Sequence, residues 1–396
     1  SVKDEGDENG NNIKEYKLPK KANNNNEVDL DRIYGIVFAN GKGRDNNSTE
    51  ENILEGYEFD AWTKIREHIK YLELREYKCD TYTGDNYFAN MHQVEKLELP
   101  ECGITVGNGV GEKNYQYFAN CENLKEITIW NGSTSVDITN YVGTVLQNSV
   151  GEYMFANCFN LSTKYINRLI RDVTEIKANA FYADGGNRGN FPEETDNTII
   201  DIPSSVTKIG NQAFYNRVKV TGLNIQGNGG LEIGSEAFRG CEQLNALNLN
   251  TAKITYLGTG VFGDCRSMTN EFVNGVLSNY ATNGGTKIPA YLFFGCNGQE
   301  GHDGTDANKN QCYFTELNIP EQFTEIGDGA FASKNDAKIK LTTIRVNRDM
   351  APTCLKGKTD EYTEITEKSV FDGLIPNETT VSFETNATGW KETEDE

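Results

Sequence analysis

A phenylalanine returns along this chain in a nearly constant setting. It sits in YFANM at Phe88, YFANC at Phe118, MFANC at Phe155, NAF at Phe181 and QAF at Phe214, then in EAFRGC at Phe238, GVFGDC at Phe262, YLFFGC at Phe293, GAF at Phe331 and SVF at Phe371. The intervals are 30, 37, 26, 33, 24, 24, 31, 38 and 40 residues. A unit of about 24 residues with insertions of variable length accounts for all of them. A unit that short cannot bury its own apolar face, so each copy must lean on the next, and the chain is expected to stack coil upon coil.

Each unit also carries an alternating run a few residues past its Phe, as in LKEITI ending at Ile129, LNALNL at Leu249 and LTTIRV at Val346. Such short alternation marks a strand with one buried face. The pairs Leu72/Leu74, Leu97/Leu99, Ile127/Ile129, Ile200/Ile202, Leu223/Ile225, Leu247/Leu249, Leu317/Ile319, Ile344/Val346 and Val381/Phe383 are expected to stack into one parallel sheet. Irregular strands are expected in the two coils near Tyr165 and Val273, where the match is poor. Between strand and Phe lies a second phrase, seen in IPSSVTKIGNQAF, IPEQFTEIGDGAF, GLEIGSEAF and ITYLGTGVF. Its Pro or Gly breaks the strand, V-x-x-I-G turns inward again, and A-F-x-x-C reads as one short helical turn on the outer wall. With strands roughly 4.8 Å apart, such coils build a curved rod on the order of 50 Å long.

IPSSVTKIGNQAF together with YFANCENLKEITI closely resembles the BspA-like leucine-rich repeats (LRR_5 type) of secreted and surface proteins, common in gut and oral anaerobic bacteria. The resemblance covers roughly Leu72 to Trp390, including TIRVNRDMAPT, SVF and the closing GWKE, which look like the last repeat and cap of such proteins. It implies a β-rich α/β solenoid: a right-handed leucine-rich-repeat array of about ten coils, with a parallel sheet on one face and short helical turns or irregular segments on the other. It also implies export to the cell surface or secretion, often as an outer-membrane lipoprotein, and some members of the family are adhesins for host matrix proteins. The insertions are longer than usual for the family, and no lipidation cysteine is present.

Residues 1–58 read as a polar N-terminal tether with a short strand inside RIYGIVFAN (32–40). Residues 59–390 read as the solenoid, with a capping helix over 59–71, where Trp62, Ile65 and Ile69 fall at helical spacing, and a C-terminal cap over 369–390. Residues 391–396 are an acidic tail. No apolar run reaches the roughly 18 to 20 residues of a transmembrane helix. The polar opening SVKDEGDENGNN has no signal-peptide pattern, which fits either a removed leader or a cytosolic origin. A membrane attachment would therefore run only through a lipid anchor outside this chain.

The 59 acidic residues outweigh 38 basic ones, for a net charge of −21. Nucleic acid and anionic membranes are poor partners for that balance, since phosphate binding needs Lys/Arg clusters.

Catalytic patterns are scarce. Cys121, Cys158, Cys241, Cys265 and Cys296 all fall three residues after their Phe, a slot taken elsewhere by Met91, Asp184, Arg217 and Lys334. That register points to small buried hydrophobes with unbridged thiols, although a coil spacing of about 5 Å does not exclude a disulfide. Cys79, Cys102, Cys312 and Cys354 lie off register, and an odd total of nine leaves at least one without a partner in the chain. The three histidines, His68, His92 and His302, show no spacing that brings one beside a nucleophile. GNGVGEKN from Gly107 lacks the third glycine of a dinucleotide loop and the Lys-Ser/Thr of a P-loop. DGTDANKN (303–310) lacks the glycine and glutamate of an EF-type calcium loop, so a solvated loop is expected. Neither a cofactor nor a metal is expected, and the chain reads as a non-enzyme.

One constellation does follow from the architecture. The residue between the two buried positions of each strand must point outward from the sheet. Those positions are Glu73, Glu98, Thr128, Asp201, Asn224, Asn248, Asn318, Arg345 and Ser382. The lane is acidic at its start, amide-rich in the middle and basic only near its end, and its stacked amides suit hydrogen bonding to one another, to an extended polypeptide or to a glycan. Glu73 and Glu98, one coil apart, lie near the spacing of a retaining glycosidase pair, but on an open face both are expected to stay solvated. The reading is a non-catalytic surface or secreted adhesion protein that binds a protein ligand through this lane or the long insertions. A glycan-binding accessory role in nutrient uptake is the alternative, and clustered exposed Trp or Tyr would mark it.

Overall fold

The structure is a computed structural model of the 396-residue chain. It describes residues 66–74, 88–101, 103–105, 117–183, 198–227, 229–296, 314–333, 341–348, 352–354, 370–371 and 380–383, together with strand backbone at 3–6, 12–15, 20–21, 24–28 and 35–37.

The ten phenylalanines form one column. From Phe88 to Phe371 successive rings stack face to face, with centroids 5.2–6.0 Å apart and planes 2–25° from parallel. A ladder of backbone bonds runs beside the rings, each Phe N–H from Phe118 onward donating to the carbonyl of the residue just before the next Phe, as in Phe214 to Ala237 and Phe262 to Leu292. The residue two past the Phe is left-handed at Asn90, Asn120, Asn157, Asn216, Gly240, Asp264 and Gly295, with φ of 56–74°. Asn, Asp and Gly recur there because they tolerate that conformation best. The glycine of each I-G phrase has a different cause. A Cβ on Gly258 would overlap the backbone nitrogen of Ser235 one coil back, and Gly210 and Gly327 meet Ala178 and Ala290 in the same way.

The alternating runs form parallel strands in register. Gly35–Val37, Tyr71–Glu73, Lys96–Leu99 and Glu126–Trp130 make one segment, closed by the antiparallel strand Ser135–Asp137. Ile199–Ile202, Gly222–Ile225 and Ala246–Asn248 make a second, and Glu316–Ile319, Thr343–Val346 and Thr380–Phe383 a third. The I-G phrases build another parallel sheet, from Ser149–Val150 through Glu175–Ile176, Lys208–Ile209 and Gly230–Ile233 to Lys253–Leu257. It resumes with Lys287–Ile288, Glu325–Ile326 and Thr353–Cys354. Between the sheets and the Phe column lies one apolar core of Leu, Ile, Val and Phe.

The expectation of one unbroken sheet fails at two places, for one reason. The coils near Tyr165 and Val273 hold helices, α1 (Thr163–Ile170) and α2 (Asn270–Thr282), in place of the irregular strands expected. Their apolar residues recur at helical spacing, with Tyr165, Ile166, Leu169 and Ile170 buried on α1 and Phe272, Val273, Val276, Leu277 and Ala281 on α2. Thr269 caps α2 by accepting from the Phe272 N–H. Leu247 and Leu249, expected inside, are only partly buried beside α2, where Gly275 faces the Leu247 side chain.

Asparagine side chains splice the helices into the ladders. Asn167 donates to the carbonyl of Ile199 and accepts the N–H of Asp201. Asn274 bridges Glu316 and Asn318 in the same manner, and Asn279 bridges Ala252 and Ile254. Each amide thus reads the carbonyl of residue i and the N–H of residue i+2 along a strand edge, replacing the backbone of the missing strand.

At the ends, Gly35–Val37 falls within the segment read as a tether, and Tyr71, read as the last residue of a capping helix, begins a strand. The rest of 59–65, most of the C-terminal cap and the acidic tail lie outside the described residues.

Candidate functional site

The lane of outward residues divides into three parts that differ in what reaches solvent. In the first, Glu73 and Glu98 are register partners on neighbouring strands, and Thr128 follows Glu98. Glu73 is half-buried, but Glu98 and Thr128 are buried at 2% and 3% exposure, against the expectation of a solvated lane. The cause is the insertion after Trp130, which turns back at Asn131–Gly132 and adds Ser135–Asp137 to the sheet. The Ser135 hydroxyl donates to the Glu98 carboxylate and lies 3.3 Å from Thr128 Oγ1. The insertion is itself anchored. Tyr165 Oη on α1 donates to Asp137 at 2.8 Å, and Arg168 and Arg171 donate to the carbonyls of Tyr141, Val142 and Gly143. Burial would raise the Asp137 carboxyl, but hydrogen bonds from Thr139 and Tyr165 and the charge of Lys164 hold it below the ordinary carboxylate range.

The middle part is open and internally wired. Asp201, Asn224 and Asn248 are register partners on three adjacent strands. Asp201 and Asn224 are half-buried and Asn248 is exposed. Asn167 Nδ2 lies 3.2 Å from one oxygen of Asp201, and Asn224 Nδ2 lies 2.8 Å from the other. Asn250 Nδ2 donates to Asn224 Oδ1 at 3.0 Å, while the Asn250 N–H donates to Asn248 Oδ1 at 3.1 Å. Asn167 and Asn250 belong to this patch but escape the strand alternation, since one sits on a helix and the other past a strand end. α1 packs beside the strand Ile199–Ile202 and α2 beside Ala246–Asn248, so the two helices bound this floor on both sides.

In the last part Asn318 is half-buried and Arg345 exposed. Arg345 Nη1 pairs with Glu316 Oε2 at 2.7 Å and reaches Asn318 Oδ1 at 3.4 Å. Ser382 is the register partner of Arg345, and its side chain lies outside the described residues. The lane is therefore not one surface but a covered start, a walled middle and an ion-paired end.

The five cysteines of the Phe register are buried, and their thiols hold an additional ladder. Each Sγ donates to the carbonyl of the Phe one coil earlier, at 2.9–3.4 Å, as in Cys241 to Phe214 and Cys296 to Phe262. Arg217 fills the same slot with two bonds, to the carbonyls of Phe181 and Cys158. Burial pushes the Cys158 thiol up to about 12 despite the nearby Arg217 charge, and it raises Cys121 and Cys265 well above the usual range. Cys354 is partly buried, while Cys79, Cys102 and Cys312 lie outside the described residues. His92 pairs with Glu122 at 3.3 Å on the surface. His302, the 107–114 loop and the 303–310 run are also outside the described residues. On the outer wall Tyr182 and Tyr215 stack at 5.1 Å, with Arg239 over the Tyr215 ring.

The BspA type leucine rich repeat region matches this chain in six copies over residues 67–148, 187–297 and 304–351, more than half of its length, and the chain belongs to that family. Three solved structures are similar to it at low identity. A leucine rich cell surface protein from Faecalibacterium prausnitzii is 19% identical, covering 68% of this chain and 78% of its own, with a TM-score of 0.28. A leucine-rich repeat protein from Bacteroides ovatus is 14% identical over 76% of this chain and 66% of its own, with a TM-score of 0.32. The pneumococcal vaccine antigen PcpA is 14% identical over 65% and 64%, with a TM-score of 0.25. This chain thus spans about two thirds of the length of the latter two. No curated protein matches it.

Proposed function

We propose that this chain is a non-catalytic binding scaffold of the cell surface or the secreted fraction, which holds a protein ligand on the walled middle of its lane. The observation that carries the reading is the side-chain network Asn167, Asp201, Asn224, Asn250 and Asn248. It is pre-oriented and reaches solvent on a rigid floor, and pre-orientation lowers the entropic cost of binding. Family membership supports a repeat scaffold, on which function belongs to grafted sites. Export, adhesion to host matrix proteins and a lipid anchor outside the chain belong to this same proposal. Acid/base chemistry at Glu73 and Glu98 is disfavoured because Glu98 lies beneath Ser135 and is closed to a substrate. Glycan binding finds little support in the paired tyrosines of the outer wall, since Tyr182 and Tyr215 are half-buried and one face of each ring is taken by the other.

The test is an array of matrix proteins and glycans probed with the natural chain and with an Asn224→Ala/Asn248→Ala/Asn318→Ala variant. Binding of the natural chain to a matrix protein, lost in the variant, is the expected result. Binding to nothing above background overturns the adhesion reading, and unchanged binding by the variant moves the site to the insertions.

A further inference from the structure

The polarity of the central network narrows what the floor can hold. Three of its four side-chain amides turn their donors inward. Asn167 and Asn224 each turn Nδ2 toward Asp201, and Asn250 turns its own toward Asn224. Beside the exposed Asn248 amide, solvent therefore meets mainly oxygen: the remaining lone pairs of the Asp201 carboxylate, those of Asn224 Oδ1 and Asn248 Oδ1, and Asn250 Oδ1. Among the described residues the side chains bonded to the charge at the centre are neutral amides. Among the described residues no Lys, Arg or His side chain lies within ion-pair distance of Asp201, whereas Lys96 and Arg345 each pair with a carboxylate on the neighbouring strand and Arg239 with Glu236 in its own coil.

We infer that the floor between α1 and α2 is a recognition site for a basic side chain, foremost arginine, carried by an extended polypeptide. This rests on the lane being a protein-binding surface. The guanidinium fits for three reasons. It is a fixed charge that compensates Asp201, it presents five N–H donors to a field of acceptors, and its plane spans neighbouring oxygens that a single ammonium reaches one at a time. Three strands of floor at about 4.8 Å spacing admit one extended segment between the helix walls. The chain already reads extended backbone with asparagine side chains at Asn167, Asn274 and Asn279, so the same chemistry is available to Asn248 beside the docked residue.

The probes are fluorescein-labelled (Gly-Arg)5, (Gly-Lys)5 and (Gly-Glu)5 peptides, titrated against the full chain at fixed salt and followed by fluorescence anisotropy. An acidic chain attracts any cationic peptide, so the comparison is between variants of equal charge. Asp201→Asn, an isosteric change, is set against Glu232→Gln, which removes a charge from an exposed position on the other sheet. The expected result is tighter binding of (Gly-Arg)5 than of (Gly-Lys)5, no binding of (Gly-Glu)5, at least a five-fold loss with Asp201→Asn and none with Glu232→Gln. Thermal unfolding of both variants confirms that they fold. Equal Kd values for the two variants, or equal binding of the Arg and Lys peptides, overturns the inference. If the amide variant still loses its matrix protein in that case, the lane remains the binding surface and only the arginine specificity falls. If neither variant changes any binding, both readings fall together.

Discussion

Gly258 and Gly229 look interchangeable in a list of glycines and are opposites in the fold. A Cβ at Gly258 meets the backbone of Ser235, which cannot rotate aside, while a Cβ at Gly229 has nothing within 4 Å. Gly258→Ala is therefore expected to cost about 1–3 kcal/mol in urea unfolding, and Gly229→Ala to stay within about 0.5 kcal/mol. The cysteine slot carries a second residue-scale prediction. Burial holds the Cys158 thiol protonated up to about 12, whereas an unfolded thiol titrates near 8.5. As pH rises past 8.5 the unfolded chain gives up its proton first, so the thiol's contribution is intact below that pH and is lost on the way to 12. Unfolding midpoints measured from pH 8 to 10 should fall more steeply for the natural chain than for Cys158→Ala, by no more than about 2 kcal/mol at pH 10. Equal slopes would contradict it. Both slots were legible as register marks, since every coil repeats them. Their causes were not: the glycine answers a neighbouring backbone, and the thiol answers a carbonyl one coil away.

The helices show where pattern reading stops short. Tyr165, Ile166, Leu169 and Ile170 spell helical spacing in a coil set among strand-bearing neighbours. Thr269 followed by Phe272 and Val273 was a readable start signal of the same kind. The Asn131–Gly132 pair between two alternating runs was likewise a hairpin signal, pointing to a further strand folding back beside Thr128. Their burial by Ser135 depends on contacts 37 and 7 residues apart, which no local pattern states. The polar middle of the lane was legible, because alternation decides which side chains leave the sheet. Asn167 and Asn250 were not, because neither lies on a strand. The splice at α2 is open to measurement. Asn274→Ala removes the bonds to Glu316 and Asn318 and is expected to cost about 1–2 kcal/mol. It should also speed hydrogen exchange at the Asn318 amide, while Asn274→Asp, which keeps the acceptor, should leave that amide protected. Equal exchange in both variants would mean that packing, not the side-chain bonds, holds the strand edge.

In a stacked array, stability is a sum of unit terms and nearest-neighbour interfaces, so the chain comes apart where an interface is thinnest. At α1 the strand ladder is interrupted but the I-G sheet runs on, from Ser149–Val150 through Glu175–Ile176 to Lys208–Ile209. At α2 both are interrupted, between Ala246–Asn248 and Glu316–Ile319 and between Lys253–Leu257 and Lys287–Ile288. Among the described residues, α2 with its asparagines joins the two sides there, together with the turn bonds from Gly260, Phe262 and Asp264 to Ala290, Leu292 and Phe294, the Cys296 thiol bond to the Phe262 carbonyl and the ring stack of Phe262 on Phe293 at 5.7 Å. Phe262 also meets Phe272 of α2 edge-on, so this ring of the column touches both the stack and the helix. Phe262→Ala is expected to cost about 3–5 kcal/mol and to split calorimetric unfolding into two transitions, one for each side of α2. Phe214→Ala removes an equal ring where both sheets are continuous, and it should lower a single transition without dividing it. A single transition in both variants would show that α2 alone couples the two sides. The floor walled by α1 and α2 would then be as rigid as any other stretch of the solenoid. Two transitions in Phe262→Ala would place its α2 wall at the weakest joint of the molecule, where ligand bound across that wall is expected to raise the lower transition.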